Sequence, residues 1–261
     1  MAARAMWKGI LHFGTHKLPV KLYAALSEQG VHFRLLDKRG KPVSQQLIDP
    51  SSGEPVAYDE VRRGFAVRDG FIALDKDELD ALEPQASREI SVSGFVTTRK
   101  LGPEWLLRPY YLGPDGNEEA YFALAVALAA EKKQGVARWV MRGKEYAGVL
   151  GARDGYLMLT TLRHADEVIA QKQLPAPKGR AHAERELKMA EQLIEAYEDA
   201  FDPADYKDAY RERVLAFVEQ KAKGKKPRLK KPVVKKSEGA LSDALSRSLA
   251  AAHKKKERNV A

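Results

Sequence analysis

The residues that come closest to a metal-binding pattern are two histidines near the N-terminus. His12 and His16 stand four residues apart, as the zinc ligands of a protease helix do, but no Glu follows His12. Gly14 and Pro19 also argue against a helix in this segment. The chain contains no Cys, which excludes thiolate metal sites, disulfides and Cys nucleophiles. The sequence therefore predicts neither a metal site nor a cofactor.

A second pattern resembles the active site of metal-dependent nucleases. Pro114-Asp115 is followed by Glu131-Lys132-Lys133, and in such enzymes the carboxylates hold a metal beside the attacked phosphate. The Glu and Lys should then lie on a strand, whereas here they end a predicted helix, and Pro114-Asp115 is typical of a turn. No phosphate-binding loop and no Gly-x-Ser-x-Gly motif occurs. We therefore expect that the protein is not an enzyme.

The positive charge of the chain is concentrated at its C-terminal end. Lys and Arg number 45 against 36 Asp and Glu, which gives a net charge of +9. Residues 1–222 hold 32 basic and 33 acidic residues, whereas the last 39 residues hold 13 basic and 3 acidic ones. A near-neutral body with a basic tail favours a nucleic acid or another polyanion as partner. A solubilising tail or a localisation signal is the alternative.

The hydrophobic pattern of the 261 residues predicts the strands and helices that would position such a binding surface. Apolar and polar residues alternate over 17–23, 31–36 and 136–142, the period of a strand with one buried face. Residues 146–150 and 156–162 are predicted to pair as a hairpin across Asp154-Gly155. These spaced strands indicate a mixed, mainly β fold with an antiparallel β-barrel core.

Helices are predicted at four places between and after these strands. Asp75 to Glu78 resembles a capping box, and an Ala- and Leu-rich helix is predicted from Glu118 to Gln134, ending at Gly135. After a Pro-rich break, a helical stripe runs from Leu187 to Tyr197, and Asp202-Pro203 is predicted to start another helix.

Three regions follow from these elements. We expect a barrel core over 1–180, a C-terminal helical arm over 181–222 and a disordered, Lys-rich tail over 223–261, with a possible short helix at 240–252. No apolar run is long enough for a membrane helix, and no signal-peptide segment follows the N-terminus, so we expect a cytoplasmic protein with no membrane partner.

Several motifs occur in one order along residues 6–222. They are Met6-Trp7-Lys8-Gly9-Ile10, Leu18 to Tyr23, Val61 to Phe65, Pro109-Tyr110-Tyr111-Leu112-Gly113-Pro114, Glu186 to Ile194, Phe201-Asp202-Pro203 and Tyr206 to Tyr210. Together they resemble the bacterial Ku proteins, the DNA-end-binding family of prokaryotic non-homologous end joining. Some members carry a Cys-x-x-Cys pair after the first strands, but residues 47–53 contain no Cys here, so no zinc is carried over.

The resemblance implies a homodimeric ring built on a β-barrel. Such a ring threads onto double-stranded DNA ends without reading their sequence and recruits the end-joining ligase, ligase D. It would act at the bacterial nucleoid. The alternative that the residues leave open is a general nucleic-acid binder that holds its ligand through the basic tail, without threading.

A ring that slides along DNA needs cations aimed at the phosphates rather than at the bases. We expect DNA contacts from one group in the turn region and edge strands, from a second group after the long helix, and from the tail. The predicted residues are Arg34, Lys38, Arg39, Lys41, Arg62 and Arg63, then Arg138, Arg142 and Lys144, then Lys225, Lys226, Lys230 and Lys231.

The helical arm is expected to bind a protein rather than DNA. It carries more acidic than basic residues, so the DNA backbone would repel it. Its Tyr and Glu side chains would offer the ligase a mixed, partly apolar surface. The predicted partner-binding residues are Glu191, Glu195, Tyr206 and Tyr210.

Overall fold

The structure, a computed structural model, describes residues 3–176, 178–179 and 183–225. The chain divides into two compact units. The first contains Met1–Gln29 and Phe33–Gln173, and the second contains Gly30–His32 together with the described residues from Leu174 onward.

The strands and helices of the described residues follow in chain order. The strands are β1 Trp7–Phe13, β2 His16–Ala24, β3 Arg63–Val67, β4 Gly70–Leu74, β5 Glu89–Thr97, β6 Leu106–Pro114, β7 Lys133–Met141, β8 Lys144–Arg153 and β9 Tyr156–Leu162. The α-helices are α1 Lys76–Ala81, α2 Glu118–Glu131, α3 Glu184–Ala196 and α4 Ala209–Ala222. None of these helices combines the length and apolar character that a bilayer crossing requires.

Seven strands of the first unit close into a barrel in the order β1-β2-β6-β9-β8-β7-β5. This confirms the predicted mainly β fold with a barrel core and inserted helices, including the β8–β9 hairpin across Asp154-Gly155. One pairing departs from the expected antiparallel arrangement, because β1 and β5 run parallel with Leu11 opposite Ile90. Strand β2 returns the chain to the end of the barrel where β1 begins. Strand β5 enters the barrel from that same end, so it runs parallel to β1.

The barrel interior follows the alternation seen in the sequence. Leu18, Val20 and Leu22 of β2 are buried, and Ala137, Trp139 and Met141 form the buried face of β7. Gly9 is required at the β1–β5 closure, because a Cβ atom there would collide with the Trp7 indole and approach the Arg88 carbonyl oxygen to 2.7 Å. The buried core contains Leu11, Leu18, Val20, Leu22, Ile90, Tyr110, Leu112, Tyr121, Ala125, Leu128, Ala137, Trp139, Met141, Leu150, Leu157 and Leu159.

Helix α2 packs against β7, β8 and β9 and anchors itself through one tyrosine. The Tyr121 side chain is fully buried. Its hydroxyl donates to the Leu112 carbonyl oxygen at 2.5 Å and accepts from the Leu157 amide at 2.8 Å. Leu112 and Leu157 face each other on β6 and β9, so one hydroxyl ties the helix to the junction of two strands. Burial raises the pKa of Tyr121.

The predicted C-terminus of this helix was wrong. Helix α2 ends at Glu131 rather than Gly135, and Lys132 takes the left-handed conformation (φ 51°) that terminates it. Thr98 donates from its amide and its hydroxyl to the Lys132 carbonyl oxygen, at 3.2 and 3.0 Å. From Lys133 onward the chain pairs with β5, so sheet hydrogen bonds replace the next helical turn.

Residues 33–74 leave the barrel and are called here the extension. The strand predicted over 31–36 is wrong. In this segment only Leu36 pairs with another residue, in an isolated bridge to Pro42. Further along, β3 and β4 form a two-stranded hairpin that pairs with no other described strand. Helix α1 follows with the predicted capping box, in which the Glu78 carboxylate accepts from the Asp75 amide at 2.9 Å.

In the second unit, α3 and α4 contribute no buried residue. The helix predicted to start at Asp202-Pro203 is a short 3-10 turn over Pro203–Asp205. Helix α4 begins only at Ala209, because the Asp208 carboxylate accepts from the amides of Tyr210 and Arg211, at 2.9 and 3.0 Å. The predicted disordered tail and its short helix at 240–252 lie outside the described residues, apart from residues 223–225.

Candidate nucleic-acid interface

A tight turn in the extension carries half of the first predicted cation group. The Asp37 carboxylate accepts from the amides of Arg39 and Lys41, both at 2.8 Å, and the Asp37 amide donates to the Lys41 carbonyl oxygen at 2.8 Å. Gly40 completes the turn at φ 79°. The Asp37 carboxylate is therefore engaged by backbone amides and not by a cation. Among the described residues, Lys38, Arg39 and Lys41 are exposed and form no ion pair.

The hairpin carries the next two predicted cations. Arg62 precedes β3 and Arg63 is its first residue, and both are exposed. Along the rest of the hairpin, Phe65 faces Ile72 across the strands, and these side chains are 66% and 54% exposed. Phe71, on the opposite face, is 79% exposed. The cations thus stand beside a ribbon with apolar side chains uncovered on both faces.

The second cation group lies around the β7–β8 turn and is less uniform than predicted. Arg142 was predicted as the last residue of the strand over 136–142, but it lies in the turn itself (φ 54°) and is followed by Gly143 (φ 71°). Lys144 begins β8 and is exposed. Arg138, on β7, already lies 3.6 Å from the Glu145 carboxylate in an exposed ion pair. Arg142 and Lys144 are therefore better placed than Arg138 to meet an external anion.

Two further exposed cations were not predicted from the sequence. Arg68 stands at the tip of the β3–β4 hairpin, and its Arg68-Asp69-Gly70 turn between apolar runs was a usable signal. Arg88 precedes β5 and lines a cleft of about 390 Å³ with Arg142 and Trp7. Only the fold brings Arg88 to Arg142, since 53 residues of chain separate them.

The residues of the nuclease pattern are held apart. Asp115 precedes helix α2 and Glu131 ends it, so a 14-residue helix of about 20 Å lies between the two carboxylates. Asp115 instead forms ion pairs with Lys8 and Lys21, at 3.0 and 2.7 Å. The Lys21 hydrogen bond, followed by that of Lys8, lowers the pKa of Asp115. The part of the chain that the structure describes contains no cluster of three His, Cys, Asp or Glu side chains suited to a metal.

The predicted partner-binding residues lie in the second unit. Glu191 and Glu195 are exposed on α3, Tyr206 follows the 3-10 turn and Tyr210 lies in the first turn of α4. Of the predicted tail cations, Lys225 is exposed just after α4. Lys226, Lys230 and Lys231 lie outside the described residues.

Comparison with known proteins identifies the barrel. Residues 12–189 match the family described as the Ku70/Ku80 beta-barrel domain. The chain is 37% identical over 256 residues to the non-homologous end joining protein Ku 2 of Geotalea uraniireducens, covering 95% of this chain and 98% of that protein. It is 35% identical to the non-homologous end joining protein Ku of Anaeromyxobacter sp. strain K, over 97% and 87% of the two chains.

A third relative, the non-homologous end joining protein Ku of Coxiella burnetii, is 32% identical over 85% of this chain and 84% of its own length. The family match covers the extension and the barrel from the end of β1 onward, and the relatives extend the likeness through both helices of the second unit. The resemblance inferred from the motifs is thereby confirmed, and the chain belongs to the Ku family.

Proposed function

We propose that this protein is a homodimeric ring that binds double-stranded DNA ends without sequence specificity, threads onto them and recruits an end-joining ligase. It acts as a scaffold without catalytic activity, in the bacterial cytoplasm at the nucleoid. The observation that carries the proposal is the extension, in which exposed apolar side chains lie next to cations without ion-pair partners. The family membership and the end-joining relatives support the same function.

The apolar surface of the extension supports a second copy as its partner. An isolated two-stranded hairpin is at best marginally stable in water. Here its faces expose Phe65, Phe71 and Ile72, while the loops before it expose Phe33 and Leu35. A soluble monomer seldom leaves so many large apolar residues uncovered along one segment. Pairing two extensions would bury this surface and join two barrels into a closed ring.

The cations of the extension support a DNA-lining role within such a ring. Arg34, Lys38, Arg39 and Lys41 project from loops without a carboxylate partner in the described structure. Phosphates attract such cations without regard to base sequence, and binding releases counterions from the DNA. Arg142 and Lys144 extend the same kind of surface to one end of the barrel.

The second unit suits a protein partner better than DNA. Helix α3 exposes Leu187, Glu191, Ile194 and Glu195, and Tyr197 directly after the helix is exposed as well. Tyr206 and Tyr210 are 73% and 59% exposed. An acidic surface with exposed aromatic and aliphatic side chains repels phosphates and offers a protein both apolar and charged contacts. We assign this surface to the ligase.

The shape of the DNA tests the proposal directly. Binding is compared on linear duplex, covalently closed circles and single strands of equal mass, with the mass of the protein in solution measured by light scattering. A threading ring is a dimer and requires a free duplex end. Equal affinity for circles and linear duplex, or a monomer at micromolar concentration, would instead support the general nucleic-acid binder.

The basic tail has a separate role in this proposal. Removal of residues 223–261 takes away 13 basic and 3 acidic residues. We expect the truncated protein to keep its preference for free ends while it loses affinity and salt sensitivity, because the cations removed would attract DNA near the ring over a Debye length of about 10 Å at 0.1 M salt. Loss of end preference with unchanged affinity would make the tail the end sensor.

A further inference from the structure

Helix α2 carries charged residues only at its two ends. No Asp, Glu, Lys or Arg occurs from Ala120 to Ala130. A helix at a protein surface usually carries charges on the side away from the core, and α3 has such a charged side with Glu184, Lys188 and Glu191. A helix that is apolar all round is typical of one that is buried on every side. The composition of α2 is therefore that of a helix covered on both faces.

The barrel covers only one of these faces. Tyr121, Ala125 and Leu128 are buried against it. On the opposite side of α2, Phe122 and Val126 are 48% and 66% exposed. This side is completed by small exposed residues, Ala123, Ala127 and Ala130. We call these five exposed residues the α2 face, and such a contiguous apolar surface indicates an interaction with another molecule.

The two ends of the α2 face carry opposite charges. Glu119 lies one turn before Ala123 on the same side of the helix, and it is exposed. Beyond the other end, Lys132 is exposed and lines a cleft together with the exposed Arg99. Within the described part of the chain these three side chains form no ion pair, whereas the neighbouring Glu131 and Lys133 pair with each other at 3.5 Å. The face therefore begins with a free acid and ends with two free bases.

We propose that two copies of this chain pair through the α2 face, with their helices antiparallel around a two-fold axis. A surface that is acidic at one end and basic at the other is complementary to itself in this orientation, because Glu119 of each copy meets the basic end of the other. Antiparallel packing also brings opposite ends of the two helix dipoles together. The alanines allow the helix axes to approach to about 8 Å.

The size of the α2 face makes this contact weak. A helix of 14 residues is about 20 Å long and about 10 Å wide, which offers less than the roughly 800 Å² per partner of a stable interface. We therefore expect pairing at high local concentration, as when several copies occupy one DNA molecule. This step rests on the function proposed above, in which the extension joins two chains into a ring. The α2 face then joins one ring to the next.

Sedimentation of the full-length, DNA-free protein over a range of concentrations tests the pairing. We expect the unmodified protein to associate beyond the dimer as its concentration rises. Val126→Glu should weaken this association by about tenfold or more, because pairing would bury an unpaired carboxylate. It should not lower the melting temperature, since Val126 is exposed and Glu is the better helix former.

The matched control for this variant is Ile169→Glu, which should leave the association unchanged. Ile169 is 72% exposed and follows the end of β9 opposite to the end that Tyr121 contacts. An association that Val126→Glu weakens no more than Ile169→Glu would overturn the proposal.

A crosslinking experiment detects the weak contact directly, because the chain contains no Cys. With a short thiol-reactive crosslinker, Val126→Cys should link two copies, since Val126 lies near the centre of the helix. Ala120→Cys is the control, because in an antiparallel pair the two Ala120 positions lie more than about 10 Å apart along the helix axes. Equal crosslinking of the two variants, or none of Val126→Cys, would contradict the antiparallel pair.

An exchange of charges separates recognition from stability. Glu119→Lys alone should weaken the association, and so should Arg99→Glu combined with Lys132→Glu. All three changes together should restore it, because opposite charges meet again. Weakening that the triple variant does not restore would mean that these residues act within their own chain, against the proposal.

One further variant distinguishes failure of this proposal from failure of the ring. Phe65→Ser with Ile72→Ser alters the facing pair of the β3–β4 hairpin and should abolish the extension dimer, while crosslinking through Val126→Cys persists in the same chain. A dimer that survives these two changes and is lost in Val126→Glu would support the α2 pair but contradict the assignment of the ring to the extension. Loss of the crosslink together with the extension dimer would overturn the separate α2 contact.

Discussion

The barrel and the extension contain similar apolar residues, but the barrel buries them and the extension leaves them exposed. In the barrel, the alternate residues Leu18, Val20 and Leu22 of β2 are buried, and the closed strand order leaves no free edge. In the extension, Phe33, Phe65 and Phe71 are at least 66% exposed, and the β3–β4 hairpin pairs with no further described strand.

The difference shows where one chain can bury its own apolar surface and where a second molecule is required to cover it. Burial of apolar area stabilises the barrel within one chain, at about 25 cal/mol per Å². The same residue types in the extension gain nothing until a second surface covers them. This is why we assign the extension to dimer formation and DNA binding, and the barrel to the stable support of both.

The largest effect should come from the hairpin. Phe65→Ser with Ile72→Ser removes a facing apolar pair that the barrel core does not use. We expect the dimer to dissociate and the affinity for linear duplex to fall by about 100-fold or more, the scale of several interface hot spots. Light scattering and DNA titration measure the two effects. A variant that remains dimeric would separate the hairpin from the interface, and an unchanged melting temperature would show that the barrel is intact.

The next effect should come from the cations of the extension. In the variant with Arg34, Lys38, Arg39 and Lys41 all changed to Gln, the slope of log affinity against log salt should decrease by about 0.9 for each phosphate that the protein no longer neutralises. The measurement is a DNA titration at several salt concentrations. Arg138→Gln is the control, because Arg138 is already paired with Glu145. An equal decrease in the control would mean that ion pairing does not decide which cations meet DNA.

A smaller effect, confined to the barrel, should come from Tyr121. Tyr121→Phe removes the hydroxyl that joins β6 to β9 and leaves the Leu157 amide without its partner. We expect a loss of about 1–3 kcal/mol in the free energy of unfolding, measured with urea. Tyr110→Phe is the matched control, because the Tyr110 hydroxyl makes no hydrogen bond within the described residues. If both variants lose equal stability, the hydroxyl bridge is not the cause.

The smallest effect should be the pH dependence of the Lys8–Asp115–Lys21 cluster. The folded-state pKa of Asp115 is lowered from its ordinary 3.8, so its contribution to stability is full above pH 3.8 and is lost as the pH falls through the folded value. The pKa of Lys21 is raised from 10.5, so its contribution is full below pH 10.5 and is lost above it.

Asp115→Asn should therefore be less stable than the unmodified protein between these limits, and the difference should shrink in acid. Urea unfolding at pH 3 and pH 7 measures it, and high salt should reduce it because the cluster is partly exposed. A difference that persists unchanged at pH 3 would show that Asp115 acts through its turn rather than its charge.

Local patterns predicted those elements whose neighbours in space are also neighbours in sequence. The β8–β9 hairpin, the capping box of α1 and the buried face of β7 all follow from alternation and turn residues. The failures occurred where a distant contact competed with a local preference. Helix α2 ends early because the chain pairs with β5 from Lys133 onward. Residues 31–36 form no strand because no described strand lies beside them to supply hydrogen bonds.

The candidate interface divides in the same way. The sequence predicted which cations the extension offers, because Arg and Lys in polar turns are exposed wherever the turn lies. It predicted neither that Glu145 would pair with Arg138 nor that Arg142 would enter the turn. Arg88 could not be selected, because its proximity to Arg142 depends on the loop before β5 reaching the β7–β8 turn.

By itself, the sequence determined the family, the barrel class and the separation of a near-neutral body from a basic tail, since these depend on composition, periodicity and ordered motifs. The tertiary structure alone decided the parallel β1–β5 closure, the hydroxyl bridge of Tyr121 and the cleft that joins Arg88 to Arg142. Each of these joins residues that lie far apart in the chain, and their packing is set by the closed sheet rather than by any local preference.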